Sequence, residues 1–358
     1  MKKILIVTGG SGGHVMPSLS IFDHLKNNFE TNLATDKRGS KFINNNNYQF
    51  DLIDVPNLFS NPYLFPINFI KFILSIFKSY FFLKKKNINF LISTGGYMSI
   101  PFCIASRFLN IKIYLFEPNS VLGRANKFML SISKKIICYD KDIKLFPKKF
   151  SNKIYIVSPI LRKDIYLYKE KKNKEISNVK KILIIGGSQG AKFFDKNITE
   201  LVLKISNKFE IDVSQQVFDN KQKNLIEQKY IIAGVKYRLF DFDEELLKNL
   251  NNYDFVITRS GASAISEFAY FNIPFMAIPF PFAKDNHQYF NAKFYEDRGG
   301  CFLIQQDNFD VNEISNLLIQ FFEEKNEYFK KKQNLANISN QNTWNNVNKK
   351  LLEIFDEN

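Results

Sequence analysis

The sequence predicts an α/β protein made of two parallel-sheet halves, and three observations carry that reading. Short apolar runs alternate with helix-period segments from end to end, which is the pattern of βα units. The stretch Lys181-Ile-Leu-Ile-Ile-Gly-Gly-Ser-Gln-Gly190 restates Lys3-Ile-Leu-Ile-Val-Thr-Gly-Gly-Ser-Gly-Gly13, each a buried strand, a Gly-rich turn and a helix. The chain has 358 residues, which at about 100–200 per domain makes two domains. The expected division is a Rossmann-like domain over 1–158, a second over 159–340, and a C-terminal helix over 341–358 that packs back on the first.

In chain order, the first half offers strands at Lys3–Val7, 32–35, Phe90–Ser93, 112–116 and Lys135–Cys138, with helices such as 17–27 and 123–133 between them. Around 169–181 the chain turns polar and basic, as at a domain junction. The second half offers, after the strand beginning at Lys181, strands at 210–214, Lys236–Phe240, 254–258, 275–278 and 301–304. Residues 313–355 read as helices, with Ile314, Leu317, Leu318 and Phe321 on one face.

Composition narrows the function. Apolar residues make up 45% and charged residues 24%, which excludes disorder as the main state. Lys and Arg exceed Asp and Glu by 50 to 35, a formal charge of +15, so the chain should be drawn to something anionic. Nucleic acid is not expected, because there is no RNP-like run, helix-turn-helix spacing or Cys/His finger. Cys103, Cys138 and Cys301 form no CxxC pair and read as buried thiols in a reducing compartment. The apolar run Ile4-Leu5-Ile6-Val7 is shorter than the h-region of a signal peptide, about 7–15 residues, which suits a cytoplasmic protein.

The turn Gly9-Gly10-Ser11-Gly12-Gly13-His14 sits between a strand and a helix, where free N–H groups favour an anion or a polar sugar. His14 is one of three histidines. At a strand end, where ligand crevices of α/β sheets lie, it is either a general base for an attacking hydroxyl or a polar loop residue. The second turn, Gly186 to Ala191, could hold a diphosphate on backbone donors and Ser188; GxxxxGK[ST] is absent, so an ATP-hydrolysing P-loop is not expected. Thr258 to Glu267 follow a further strand. Glu267 either accepts from the vicinal hydroxyls of a ribose or complements a helix dipole. Asp285-Asn286-His287-Gln288 opens another helix with side chains that read sugar hydroxyls, although Asp285 also suits an N-cap.

Taken together, Gly9 to His14, Gly95-Gly96-Tyr97, Glu117-Pro118-Asn119, Gly186 to Ala191, Arg259 to Ala262 with Glu267, and Asp285 to Gln288 stand in the order and approximate spacing of the MurG family. The chain resembles that family over essentially its whole length. The resemblance implies a GT-B glycosyltransferase, two Rossmann-like domains facing a central cleft. It implies transfer of GlcNAc from UDP-GlcNAc to lipid I, giving lipid II at the cytoplasmic face of the membrane. By the same resemblance, Ser11, Gly12, Gly13 and His14 face the sugar and acceptor, Asn119 contacts the donor sugar and Ser188 the diphosphate. Phe242-Asp243 lie by the uracil, Ala262, Ser263, Ala264, Ile265, Ser266 and Glu267 hold the ribose end, and Gln288 reads GlcNAc hydroxyls beside His287. Arg162 is carried over as a diphosphate contact, although Ser158-Pro159-Ile160-Leu161-Arg162 has one residue more than the family's usual run; His287 stands where Gln is common. No cofactor or tightly bound metal is expected, because no DxD-like motif stands out. Partners are expected among membrane lipids and among cell-wall synthesis or division proteins. The reading to be separated from this one is another GT-B UDP-sugar transferase acting on a lipid such as diacylglycerol.

Residues 58–86 are the most hydrophobic stretch. Asn68, Lys71, Ser75, Lys78 and Ser79 recur three or four apart, which predicts one polar stripe along a helix. Two lysines on the helix argue against a span through lipid. The expectation is an interfacial helix whose Phe and Ile side chains enter the bilayer surface while Lys71, Lys78 and Lys84 to Lys86 meet anionic headgroups, with a helix packed on the first sheet as the alternative.

Overall fold

The computed structural model describes all residues except 57–61, 170–177, 188–191, 244 and 357–358. The chain forms two compact units, one of Met1–Lys163 with Thr343–Asn358, the other of Asp164–Asn342.

Unit 1 carries a seven-stranded parallel sheet in the order β3-β2-β1-β4-β5-β6-β7, with strands Lys3–Val7, Glu30–Thr35, Asp51–Leu52, Phe90–Ser93, Lys112–Glu117, Lys135–Cys138 and Ile154–Ile156 as β1 to β7. β1 is central, pairing Ile4 with both Thr31 and Phe90. Successive side chains of a strand point to opposite faces. Ile4 and Ile6 accordingly enter one core with Val15 and Leu351, while Leu5 and Val7 enter another with Leu83 and Phe102. All four are fully buried, each contributing about 1.5–3 kcal/mol relative to exposure. The two strands not picked out from the sequence, β3 and β7, are the edges: β3 is only two residues long, and β7, although apolar as Ile154-Tyr155-Ile156, is partly exposed.

The first helix, α1, spans Gly12–Leu25 and so starts inside the Gly-rich turn rather than at Pro17. Pro17 lies within it, one turn in, where a proline removes one backbone donor and crowds the Gly13 carbonyl, a cost that the buried face with Val15, Leu19 and Ile21 outweighs. A one-turn α2 (Lys37–Ser40) is followed by α3 (Phe65–Lys86), α4 (Ser99–Phe108) and α5 (Arg124–Met129).

In unit 2 the order is β10-β9-β8-β11-β12-β13, again all parallel, with β8 (Lys180–Ile185) central and β9 (Ile211–Gln216), β10 (Lys236–Phe240), β11 (Phe255–Thr258), β12 (Phe275–Ala277) and β13 (Cys301–Leu303) around it. Its helices that matter below are α9 (Ala262–Tyr270) and α10 (His287–Glu296), with α6 (Lys163–Tyr168), α7 (Thr199–Ser206) and α8 (Asn220–Ile232) before them and α11 (Val311–Glu323) and α12 (Lys325–Ser339) after. The final helix, α13 (Trp344–Asp356), packs in unit 1, where Val347, Leu351, Ile354 and Phe355 join the core that holds Ile4 and Ile6. The chain crosses between units at 163/164 and returns at 342/343, a few residues after the positions expected.

One expectation about α3 is corrected. Ser75 and Ser79 are buried with Phe72 and Leu83 on the inner edge, and the Ser75 hydroxyl donates to the Phe72 carbonyl at 2.6 Å. The outward face carries Phe69, Ile70, Ile73, Leu74, Phe77 and Phe81, with Lys71 and Lys78 exposed beside them, so only the two serines leave the expected stripe. α3 packs beside α4, and its buried serines lie on the inner edge, so polarity alone misassigned their part of the stripe. The three cysteines are buried free thiols; burial pushes Cys103 up to about 12.

Candidate active site

In unit 1 the candidate residues gather where β1, β4 and β5 end. Ser11 is the extended N-cap of α1 and Gly12, Gly13 and His14 form its first turn. The first N–H groups of a helix have no intrahelical partner, so Gly12 and Gly13 present donors here. His14 Nδ1 lies 2.8 Å from the Thr94 carbonyl oxygen, just past β4. The turn itself is tied down by Asp36, whose Oδ1 accepts from the Gly10 N–H at 3.0 Å and the Gly39 N–H at 2.7 Å, while Oδ2 accepts from Arg38 Nε and Nη2. Burial pushes the Asp36 carboxyl up, but those N–H groups and the guanidinium outweigh it and lower its pKa.

Asn119 is placed by Glu117. This buried carboxylate ends β5 and accepts through Oε1 from the Asn119 backbone and side-chain amides (3.2 and 2.9 Å), and through Oε2 from the Gly123 N–H (2.7 Å) and Asn126 Nδ2 (3.0 Å). Arg162 is half-buried in the last residues of unit 1. Sequence reading missed Asp36, Thr94 and Asn126. Asp36 had a usable signal, its place directly after a strand and beside a Gly-rich turn; Thr94 acts through a backbone atom and leaves none.

Unit 2 gathers a second set at the ends of β8, β11 and β12. Ser188 lies outside the described residues; beside it, the Gly187 N–H donates to Gln216 Oε1 at 3.3 Å, and Gln216 Nε2 donates to the Asp241 carbonyl. Asp243 pairs with Arg238 at 2.7 Å and caps the Glu245 N–H, and Phe242 next to it is exposed. Ala262, Ser263 and Ala264 form the first turn of α9, and Glu267 lies half-buried one turn on. Ile265 and Ser266 turn inward instead: Ile265 is 1% exposed, and Ser266 Oγ donates to the Ala262 carbonyl and accepts from the Tyr295 hydroxyl. Their side chains are taken up by packing, so a ligand at this turn meets the backbone donors of 262–264 and the side chains of Ser263 and Glu267.

The Asp285 to Gln288 run also differs from a simple cap. The N-cap of α10 is Asn286, not Asp285, and both have left-handed backbone. His287 Nδ1 lies 2.9 Å from the Lys284 carbonyl. Gln288 Oε1 accepts from the Ser260 N–H (3.3 Å) and the Phe280 N–H (2.9 Å), tying the ends of β11 and β12 together. Among the described residues the Nε2 amide makes no hydrogen bond and remains a donor. Arg259 is a clamp: Nη1 donates to the Ile278 and Pro279 carbonyls and Nη2 to Gln306, among the rings of Phe193, Phe194 and Phe280, and burial lowers its pKa to about 10. Among the described residues, no group of three or more His, Cys, Asp or Glu side chains could hold a metal ion.

Residues 4–138 match the glycosyltransferase family 28 N-terminal domain, and 181–348 the family 28 C-terminal domain. The chain is 43% identical, over 100% of its own length and 99% of the relative's, to the UDP-N-acetylglucosamine–N-acetylmuramyl-(pentapeptide) pyrophosphoryl-undecaprenol N-acetylglucosamine transferase of Pelagibacter ubique (strain HTCC1062). It is 32% identical to the Rickettsia felis (strain ATCC VR-1525 / URRWXCal2) protein of the same description, over 89% of this chain and 90% of that one. The crystal structure of MurG from Acinetobacter baumannii has the same GT-B fold, with a TM-score of 0.79 over 100% of both chains at 20% identity. UDP-GlcNAc 2-epimerase from Neisseria meningitidis, solved with UDP-GlcNAc bound, shares the fold at a TM-score of 0.68 and 13% identity, over 99% of this chain and 100% of that one. With both halves matching, and with a relative this similar along its whole length, the chain belongs to glycosyltransferase family 28 and, within it, to the MurG family.

Proposed function

We infer that this protein transfers GlcNAc from UDP-GlcNAc to the C4 hydroxyl of MurNAc in undecaprenyl-pyrophosphoryl-MurNAc-pentapeptide, lipid I, giving lipid II. The observation that carries this reading is the 43% identity, end to end, to a transferase of that description. The site residues are consistent with the chemistry. His14 is the base: Nε2 takes the proton of the acceptor hydroxyl, the hydroxyl oxygen bonds to the anomeric carbon, and the bond to UDP breaks on the opposite side with inversion. A positioned general base of this kind supplies roughly 10²–10⁴ in rate. The electron pair of the broken bond leaves with the β-phosphate of UDP, where backbone donors and Ser188 stabilise the charge. Glu267 accepts from the ribose hydroxyls, and Gln288 Nε2 donates to the GlcNAc ring.

The acceptor's undecaprenyl chain resides in a bilayer, and α3 is the element fitted to meet one. Its outward apolar face and the exposed Lys71, Lys78, Lys84 and Lys85 combine insertion with headgroup attraction, the arrangement of an interfacial helix. By length and composition alone α3 would also cross a membrane, but its inner edge is committed to unit 1 through Phe72, Ser75, Ser79 and Leu83. The protein therefore works as a peripheral enzyme at the cytoplasmic face.

The test is transfer from radiolabelled UDP-GlcNAc by the purified full chain, with lipid I or diacylglycerol offered in neutral detergent. Labelled lipid II, and a roughly 10²-fold or greater loss of kcat in His14→Ala with donor affinity kept, is the expected result. Transfer to diacylglycerol in preference to lipid I would overturn the acceptor.

A further inference from the structure

Histidine bases are commonly oriented by a carboxylate on the ring nitrogen that does not react. Among the described residues, no carboxylate is hydrogen-bonded to His14. The buried carboxylate of Glu117 spends both oxygens on Asn119, Gly123 and Asn126. Among the described residues the imidazole makes one hydrogen bond, to the Thr94 carbonyl at 2.8 Å. A carbonyl oxygen can only accept, so Nδ1 must carry the proton and Nε2 the lone pair.

The peptide that supplies this acceptor is itself held. The Thr94 N–H donates to the Val7 carbonyl of β1 at 3.1 Å, and the Gly95 N–H donates to Ser93 Oγ at 3.2 Å. Gly95 and Gly96 follow with φ of +87° and +79°, a conformation that glycine adopts without cost and other residues rarely do. A Cβ on Gly95 would lie 3.3 Å from His14 Cε1 and 3.4 Å from Nδ1; one on Gly96 would lie 3.7 Å from Cδ2 and 3.9 Å from Nε2. The imidazole thus rests on the bare backbone of two successive glycines. Asn126 Nδ2 lies 3.6 Å from the same Gly95 position, so Gly95 is confined between the ring and an amide that Glu117 holds.

We propose that Thr94, Gly95 and Gly96 are the positioning residues of the base, holding His14 as the Nδ1–H tautomer with Nε2 as the proton acceptor. This rests on the reading of His14 as the base and deepens it. A fixed peptide dipole sets the tautomer where other enzymes use a charge, and the Gly-Gly pair has a function apart from any phosphate: a side chain at Gly95 crowds the ring directly, and one at Gly96 strains the left-handed backbone on which the ring rests and so shifts that support.

The experiment uses the full chain. ¹⁵N-labelled imidazole NMR at pH 8 reads the tautomer directly, with the His14 signals assigned by their loss in His14→Ala from those of His24 and His287. Beside it, Gly95→Ala and Gly96→Ala are assayed for transfer to lipid I and for UDP binding by calorimetry. We expect a neutral Nδ1–H ring in the wild type, and at least a tenfold fall in kcat in both variants with the KM for UDP-GlcNAc and the UDP affinity within about twofold. An Nε2–H ring overturns the proposal whether or not the variants fold. Unchanged kcat in the two folded variants also overturns it. Failure of the base reading looks different, because then His14→Ala itself keeps its turnover.

Discussion

Glu267 is where one side chain separates two roles. A carboxylate half-buried one turn into α9 either accepts from a ribose or only complements the helix N-terminus. Glu267→Ala should weaken UDP binding by about 1.5–3 kcal/mol, the range for hydrogen bonds to a charged group, with little change in melting temperature. Calorimetry with UDP alone decides it, and an unaltered affinity removes Glu267 from the donor site. At this scale residue types are legible in the sequence, but their hydrogen bonds are not. His14 stood out because it is rare and follows glycines, while the atom that sets its tautomer belongs to a residue 80 positions away and is a carbonyl, which every residue has. Gln288 shows the same limit. Its composition suits a sugar, yet half of its amide is spent on the Ser260 and Phe280 backbone.

Two elements carry consequences of their own. For α3, changing Phe69 and Ile73 to Ser should reduce co-sedimentation with phosphatidylglycerol vesicles, and raised salt should reduce it further by screening Lys71, Lys78, Lys84 and Lys85. The melting temperature should hold, because both side chains are exposed. Phe72→Ala should act in reverse, costing about 3–5 kcal/mol of stability, since Phe72 is buried and its ring lies 5.8 Å from that of Tyr97. Equal lipid binding by the double variant would remove the interfacial role. In unit 2, Asp195 lies in the π-turn Phe194–Ile198, its carboxylate oxygens buried with no hydrogen-bond partner among the described residues, and burial, helped by the Asp219 charge, raises its pKa from 3.8 to about 6. Between those values the folded chain holds a proton that the unfolded chain has released. Stability should therefore fall as pH rises from about 4 to 6 and stay lower above, by at most about 3 kcal/mol. Asp195→Asn should melt several degrees higher than wild type at pH 7.5 and alongside it at pH 4; a constant offset at both values would refute the assignment.

For the whole molecule, the return of the chain to unit 1 through α13 creates a sensitivity of opposite sign. His24 stacks on Trp344 with ring centroids 3.6 Å apart, and burial, prevailing over the nearby Asp23 carboxylate, lowers its pKa from 6.5 to about 4. The unfolded chain binds a proton there below about 6.5 that the folded chain refuses. This stabilisation is thus complete above pH 6.5 and lost as pH falls towards 4, at most about 3 kcal/mol. Trp344 is the only tryptophan, so its fluorescence during urea titrations at pH 7.5 and 5 reports the loss; His24→Phe should flatten the pH dependence, and an unchanged slope would exclude His24 as its source. What the sequence determined by itself was everything encoded in short windows. Four apolar residues before a Gly-rich turn suffice to place β1 and β8 at the centres of two parallel sheets, because a strand buried on both faces must be apolar throughout. Only the tertiary structure decided which partners saturate Asp36, Glu117 and Gln288, that the serines of α3 face inward, and which side chains of α13 join the core around Ile4 and Ile6. Those outcomes depend on which distant lone pairs and surfaces the fold brings within about 3–4 Å, a matter of geometry that residue type and spacing do not contain.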